Sequence, residues 1–159
     1  MELKTIVKAG NGQQDILISR AFDLPVDLLF KAHTEPELFE QWMTHEYGIC
    51  KVQKMEARKN GSWEFHTLDA QNNLLFKASG VFHEFITDQK ITRTFEMGNS
   101  PFEVQLEFLE FEKLTDDTSQ LNMQIVFRSA GYRDQMLKLP FAKGLSMAHD
   151  RLEKIIASK

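Results

Sequence analysis

The sequence predicts an α+β fold in which a curved antiparallel β-sheet wraps around one long C-terminal α-helix. Two observations carry that prediction. Between Gly48 and Phe127 apolar and polar residues alternate, segment after segment, with short polar connections, as in an antiparallel meander. From Leu139 to Lys159 the period changes, and Phe141, Leu145, Ala148, Leu152 and Ile155 recur four, three, four and three residues apart. That spacing lays one apolar stripe along one helical face. A meander with one apolar face must cover it, and this is the only long amphipathic helix available to do so.

Each element has its own signature. "DILISRAF", Asp15 to Phe22, is rich in β-branched and apolar residues and stops before Pro25, so it reads as a first strand. "LPVDLLFKAHTEPELFEQWM" takes a helical period: Pro25 suits a first turn, and Val26, Leu29, Phe30 and His33 share a face. Thr34 is placed to cap a second short helix carrying Leu38, Phe39 and Trp42. "ICKVQKMEA" and "SWEFHTL" flank Lys59-Asn60-Gly61, a hairpin signal. Trp63, Phe65 and Thr67 then share one face, and Glu64 and His66 the other. Phe76, Ala78, Gly80 and Phe82 align in "LLFKASGVFHEF", as do Ile91, Arg93 and Phe95 in "KITRTFEM". In "FEVQLEFLEFEK" the set Phe102, Val104, Leu106 and Phe108 is expected to face the core, against Glu103, Gln105 and Glu107. Leu121, Met123, Ile125 and Phe127 form the inner face of the last strand, and "RSAGYRDQMLK" reads as a turn. The first strand, set apart by the helical pair, is expected to pair with the end of the sheet.

Composition bounds the partners. A chain of 159 residues suits a single domain, 1–159 with its core at about 15–158, and buries roughly 70% of its unfolded surface. Thirteen Phe residues supply bulk without hydrogen-bonding demand, equally suited to a core or to an apolar pocket. A formal charge of −4 with no long basic run lacks the footprint of a nucleic-acid binder. No signal peptide or bilayer-spanning apolar run is legible, and one cysteine, Cys50, allows no internal disulfide. A cytoplasmic protein without membrane insertion is the expectation, as a monomer or homodimer.

The reactive residue types point away from catalysis. Cys50, on a strand between Ile49 and Lys51, reads as a buried structural thiol. His33, His45, His66, His83 and His149 show no compact ligand spacing, and His149 with Glu153 reads as a solvated pair rather than a metal site. Glu64 and His66 lie on the face opposite the aromatics, the wrong side for a pocket base. The patches around Glu103/Glu107 and Asp116/Asp117 read as a solvated strand face and a loop. No glycine-rich phosphate loop occurs, so neither cofactor nor metal is expected. Arg93 stands out, because it shares the parity of Ile91 and Phe95. On a concave face its guanidinium requires an anion, either a ligand carboxylate or an internal acid such as Glu110; the alternative is a side chain that reaches the rim.

"RAFDLPVDLLFKAHTEPELFEQWM" resembles the opening of the SRPBCC domains, the START-like or birch-pollen-allergen-like superfamily. More narrowly, it is similar to the family related to the activator of the heat-shock-protein-90 ATPase, through Arg20, Phe22, Asp23, Pro25, Phe30, Thr34, Pro36, Glu37 and Trp42. "EARKNGSWEF" is similar to that family's hairpin, with Glu56 in place of Asp and Lys59-Asn60-Gly61 in place of Pro-Gly-Gly. "GVFHEFITDQKITRTFE" and "YRDQMLKLPFAKGLSMAHDRL" resemble its central strands and its closing Asp-Arg-Leu helix. The resemblance implies a helix-grip fold and, commonly in the superfamily, an apolar cavity holding lipids, polyketides, flavonoids or similar molecules.

The resulting expectation is a binding module for a small hydrophobic ligand, held between sheet and C-terminal helix. Trp63, Phe65, Phe82, Arg93, Phe95, Phe108, Met123, Phe141 and Leu145 are the candidate ligand-binding residues. A cyclase or hydrolase working in the same cavity is the alternative, and a chaperone ATPase co-regulator a third. Along the last helix, Leu152 and Ile155 are expected to be core, and Phe141 and Leu145 a pocket wall.

Overall fold

A computed structural model of the chain describes residues 3–98 and 103–159. Eight strands form one sheet: β1 (Ile6–Ala9), β2 (Asp15–Phe22), β3 (Ile49–Met55), β4 (Ser62–Leu68), β5 (Leu74–Ile86), β6 (Lys90–Met97), β7 (Gln105–Lys113) and β8 (Ser119–Val126). Helices α1 (Val26–Thr34) and α2 (Pro36–Met43) follow β2, and α3 (Ala130–Lys138) and α4 (Phe141–Ala157) end the chain. The sheet order is β1-β2-β8-β7-β6-β5-β4-β3, antiparallel throughout. β2 closes onto β8, as the isolated first strand required.

Curvature has local causes. Register shifts interrupt β3 between Val52 and Lys54, and β5 between Phe82 and Glu84, and such bulges bend a strand and increase its twist. Gly80 permits a close approach at the centre of β5. A Cβ there would lie 1.9 Å from the Thr94 carbonyl oxygen and 2.8 Å from the Trp63 indole. The missing side chain leaves room for Trp63 to lie across β5, within 5.4 Å of Phe95 by ring centroid.

The concave face carries the core. Ile16, Ile18 and Phe22 of β2, Trp63 and Phe65 of β4, Phe82 of β5, and Leu121 and Ile125 of β8 are all buried. α4 grips this face with Ala148, His149, Leu152 and Ile156. Its lower half is clamped by the buried Arg20, which donates through Nη1 to Asp150 and through Nη2 to Glu153 at 3.3 Å. The backbone N–H of Asp23 donates to the other Glu153 oxygen at 2.7 Å, and Arg151 Nε to the Trp42 carbonyl at 3.0 Å.

Several expectations are corrected. The parity of β7 is reversed: Gln105, Glu107, Leu109 and Phe111 are buried, while Phe108 faces the other side and Val104 is exposed. The reason lies in pairing. Ile91 and Arg93 face inward, and their direct partners across the ladder are Leu109 and Glu107. Phe102 lies outside the described residues. On α4, Ile156 rather than Ile155 is the deeply buried residue of the last turn, and Ile155 is half-buried. Thr34 does not cap α2; its hydroxyl donates back to the Phe30 carbonyl at 3.1 Å, and Glu35 holds the cap position. "RSAGYRDQMLK" contains α3, capped by Ser129 Oγ accepting from the Tyr132 N–H. It buries no residue, which is why no apolar periodicity announced it.

Gly80→Ala is expected to destabilise the fold by about 1–3 kcal/mol, because the obstructing atom is backbone. Ser79→Ala, beside it on the other face, should stay within about 0.5 kcal/mol. Urea midpoints of the two variants check the pair; equal midpoints would contradict the close-approach argument.

Candidate functional site

α4 does not fill the whole concavity. Its second half is buried, but Phe141 and Leu145, in the first two turns, are only half-buried. Beneath them lies a cavity of about 260 Å³. The sheet supplies its floor through Trp63 and Phe65 of β4, Phe76 and Phe82 of β5, Phe95 of β6, and Met123 and Ile125 of β8. Phe39 and Trp42 of α2 close one end, and Met136 of α3 joins Phe141 and Leu145 in the cover. Gly144, between the two α4 side chains, is exposed, and a methyl group there would find open space.

Eight of the nine candidate residues therefore line one cavity: Trp63, Phe65, Phe82, Arg93, Phe95, Met123, Phe141 and Leu145. Phe108 does not, because the β7 register turns it to the opposite face. Its place on β7 is taken by Gln105, Glu107 and Leu109, of which the first two are polar.

Arg93 is inside. Its Nε donates to Glu107 Oε1 at 2.8 Å, and Gln105 Nε2 donates to Glu107 Oε2 at 2.7 Å. Glu107, with its side chain only 4% exposed, is thus a buried counter-ion and not part of a solvated face. Glu110, the acid suggested by the sequence, is exposed. The Arg93 guanidinium carbon lies 5.5 Å from the centre of the Trp63 ring, a cation–π contact that restrains it further. Trp42 Nε1 donates to the Ala32 carbonyl at 2.7 Å, whereas the buried Trp63 Nε1 has no hydrogen-bond partner among the described residues.

Two histidines also line the cavity and were not singled out as site residues. His33 of α1 lies 2.8 Å through Nδ1 from the Leu29 carbonyl. A carbonyl only accepts, so Nδ1 carries the proton and Nε2 the lone pair. His149 Nδ1 is 2.7 Å from the Thr5 hydroxyl, and its ring meets Phe22 edge-on at 5.4 Å. His149 therefore faces inward and is not a solvated partner of Glu153. Burial holds both rings neutral: His33 is lowered to about 4 and His149 to about 3, with Arg93 adding to the first effect and His33 and Arg20 to the second. The signal in the sequence was the parity of His33 with Leu29 and of His149 with Leu145 and Leu152, four and three residues away.

The remaining titratable groups fall elsewhere. Glu64 and His66 pair at 2.7 Å on the partly exposed outer face. Burial, with the Glu40 charge adding to it, pushes the Cys50 thiol up to about 12, so it is not a poised nucleophile. Among the described residues, no cluster of three or more His, Cys, Asp or Glu is arranged to hold a metal ion, and no helix is long and apolar enough to cross a membrane.

The neutral histidines make stability depend on pH. Unfolded, both titrate at the ordinary 6.5; folded, they stay unprotonated down to about 4 and about 3. The unfolded chain binds more protons in that window, so their contribution is lost as pH falls below about 6.5. His149→Asn keeps a partner for Thr5 but cannot titrate. From about pH 5.5 to 4 its stability should fall less steeply than the parent's, by about 1.4 kcal/mol per pH unit. Urea unfolding across that range measures the slope, and an unchanged slope would mean that His149 accepts a proton within the fold.

With the fold and cavity defined, comparisons place the chain among its relatives. It matches a solved protein from Rhodobacter sphaeroides with a TM-score of 0.90 at 15% identity, over 98% of this chain and 99% of that one. Protein Ms6760 from Mycobacterium smegmatis gives 0.84 at 14% identity, over 98% of each chain. CalU16 from Micromonospora echinospora gives 0.67 at 21% identity, over 96% of this chain and 86% of that one. At these identities the likeness concerns the fold alone. No curated protein matches this sequence. The family model of the activator of Hsp90 ATPase homolog 1-like proteins matches residues 23–157, and the chain belongs to that family.

Proposed function

We propose that this protein is a binding module for a small hydrophobic ligand, held between the concave sheet and the first turns of α4 without covalent chemistry. One observation carries the reading: a cavity of about 260 Å³ with mostly aromatic and methionine walls, covered by helix turns whose Phe141 and Leu145 are only half-buried. An apolar cavity of about 150 Å³ accepts a benzene ring, so this one suits a two-ring molecule. Burying on the order of 300 Å² of apolar ligand gives about 7 kcal/mol gross. Association and ordering costs remove part of that, leaving binding in the micromolar range. Met43, Met55, Met97, Met123 and Met136 all border the space, and their flexible side chains suit ligands of varied shape. Lipid, polyketide and flavonoid fragments are the classes we favour, in a cytoplasmic setting.

The cavity offers a direct readout. Both tryptophans of the chain, Trp42 and Trp63, line it, so a bound aromatic molecule should change intrinsic fluorescence. In a panel of two-ring compounds, at least one should also raise the melting temperature by about 5–10 °C at a hundred times its Kd. Leu145→Trp, which fills the cavity from its half-buried wall, should still melt cooperatively but abolish both responses. A panel without any responder, or an unchanged response in Leu145→Trp, would contradict this reading.

A further inference from the structure

The cavity's polar groups have a definite charge sum and a definite hydrogen-bond deficit. Its charged lining residues are one cation, Arg93, and one anion, Glu107, in contact with each other. The neutral His33 and His149 add no charge at pH 7. Glu107 has both oxygens engaged, one by Arg93 Nε and one by Gln105. Arg93 is different, because a guanidinium offers five N–H donors and only the Nε–H is used. No hydrogen bond of Nη1 or Nη2 is formed among the described residues, and the Arg93 side chain lines the cavity and is 14% exposed.

At the ion pair the deficit is one of donors without an acceptor, in a space whose charge is already balanced. We infer that the Arg93–Glu107 pair selects an uncharged ligand ending in a hydrogen-bond acceptor, and rejects the carboxylate of the same shape. An amide, ketone or hydroxyl oxygen takes up an Nη–H while leaving the charge sum at zero. A carboxylate takes the same bond but brings a second negative charge into a mostly apolar space that holds only one positive charge. A hydrocarbon leaves the donors unpaired. This inference rests on the ligand-binding reading above and specifies the polar end of that ligand.

Three two-ring probes of near-equal size separate the cases: naphthalene, 1-naphthamide and 1-naphthoate, titrated by calorimetry at pH 7. The expected result is that 1-naphthamide binds about tenfold tighter than either of the others. Glu107→Gln removes the counter-charge and should reverse the order, with 1-naphthoate now about tenfold ahead of 1-naphthamide. Arg93→Met with Glu107→Leu removes both charges and keeps the volume, so it should fold even if the single variant does not, and its preference for 1-naphthamide over naphthalene should vanish. Wild-type protein that prefers 1-naphthoate, or binds naphthalene as well as 1-naphthamide, overturns the inference and leaves the ligand-binding reading standing. Failure of all three to bind overturns both.

Discussion

The site depends on one uneven contact: α4 packs deeply through its second half and only partly through its first. From Ala148 onward the helix is bolted down, with Leu152 fully buried and Arg20 tied to both Asp150 and Glu153. Toward its start, Phe141 and Leu145 are half-buried and α3 buries no residue. The bulges in β3 and β5 bend the sheet, and the close strand approach at Gly80 lets Trp63 lie across it as part of the cavity floor. A well-packed core and a covered cavity are thus two ends of one helix–sheet contact. The fold gains its stability from the first, which frees the second from a packing role.

The polar groups inside the cavity follow from strand register. Once Ile91 faces the core, Arg93 must, and the antiparallel ladder then sets Glu107 opposite it. A charge brought inward by register would be costly alone, and the partner brought in by the same ladder offsets it. The helices contribute the other two polar groups, His33 and His149, each tied through Nδ1 to a nearby oxygen and kept neutral by burial. The interior is accordingly polar in places yet balanced in charge.

Much of this was legible in the sequence, for identifiable reasons. In "SWEFHTL" and "QLNMQIVF" one face is far more apolar than the other, which carries only Leu68 or Val126 among polar residues, so the inward orientation of Trp63, Phe65 and Met123 could be read directly. "FEVQLEFLEFEK" has apolar residues on both parities, Leu106 and Phe108 on one and Leu109 and Phe111 on the other. Counting hydrophobes there chose the wrong face, and only the partner strand decides it. The parity of Arg93 with Ile91 left an inward and a rim position open; the structure has it inward, and its direct ladder partner is Glu107, not Glu110. Ile155 and Ile156 are adjacent on α4, and a stripe with both three- and four-residue steps cannot choose between them. α3 gave little signal, because it buries no residue fully and packs only the half-buried Tyr132 and Met136 against the core.

Whether a ligand occupies the space beneath the start of α4 can be read from methionine methyl NMR. Met43, Met55, Met97, Met123 and Met136 border the cavity, whereas Met147, on the outward side of the same helix, is 51% exposed. Titrating 1-naphthamide into ¹³C-methyl-methionine protein should shift the five cavity resonances, Met123 and Met136 among them, and leave Met147 in place. Binding that moves Met147 while the cavity methyls stay still would put the ligand on the surface and rule out the cavity as its site.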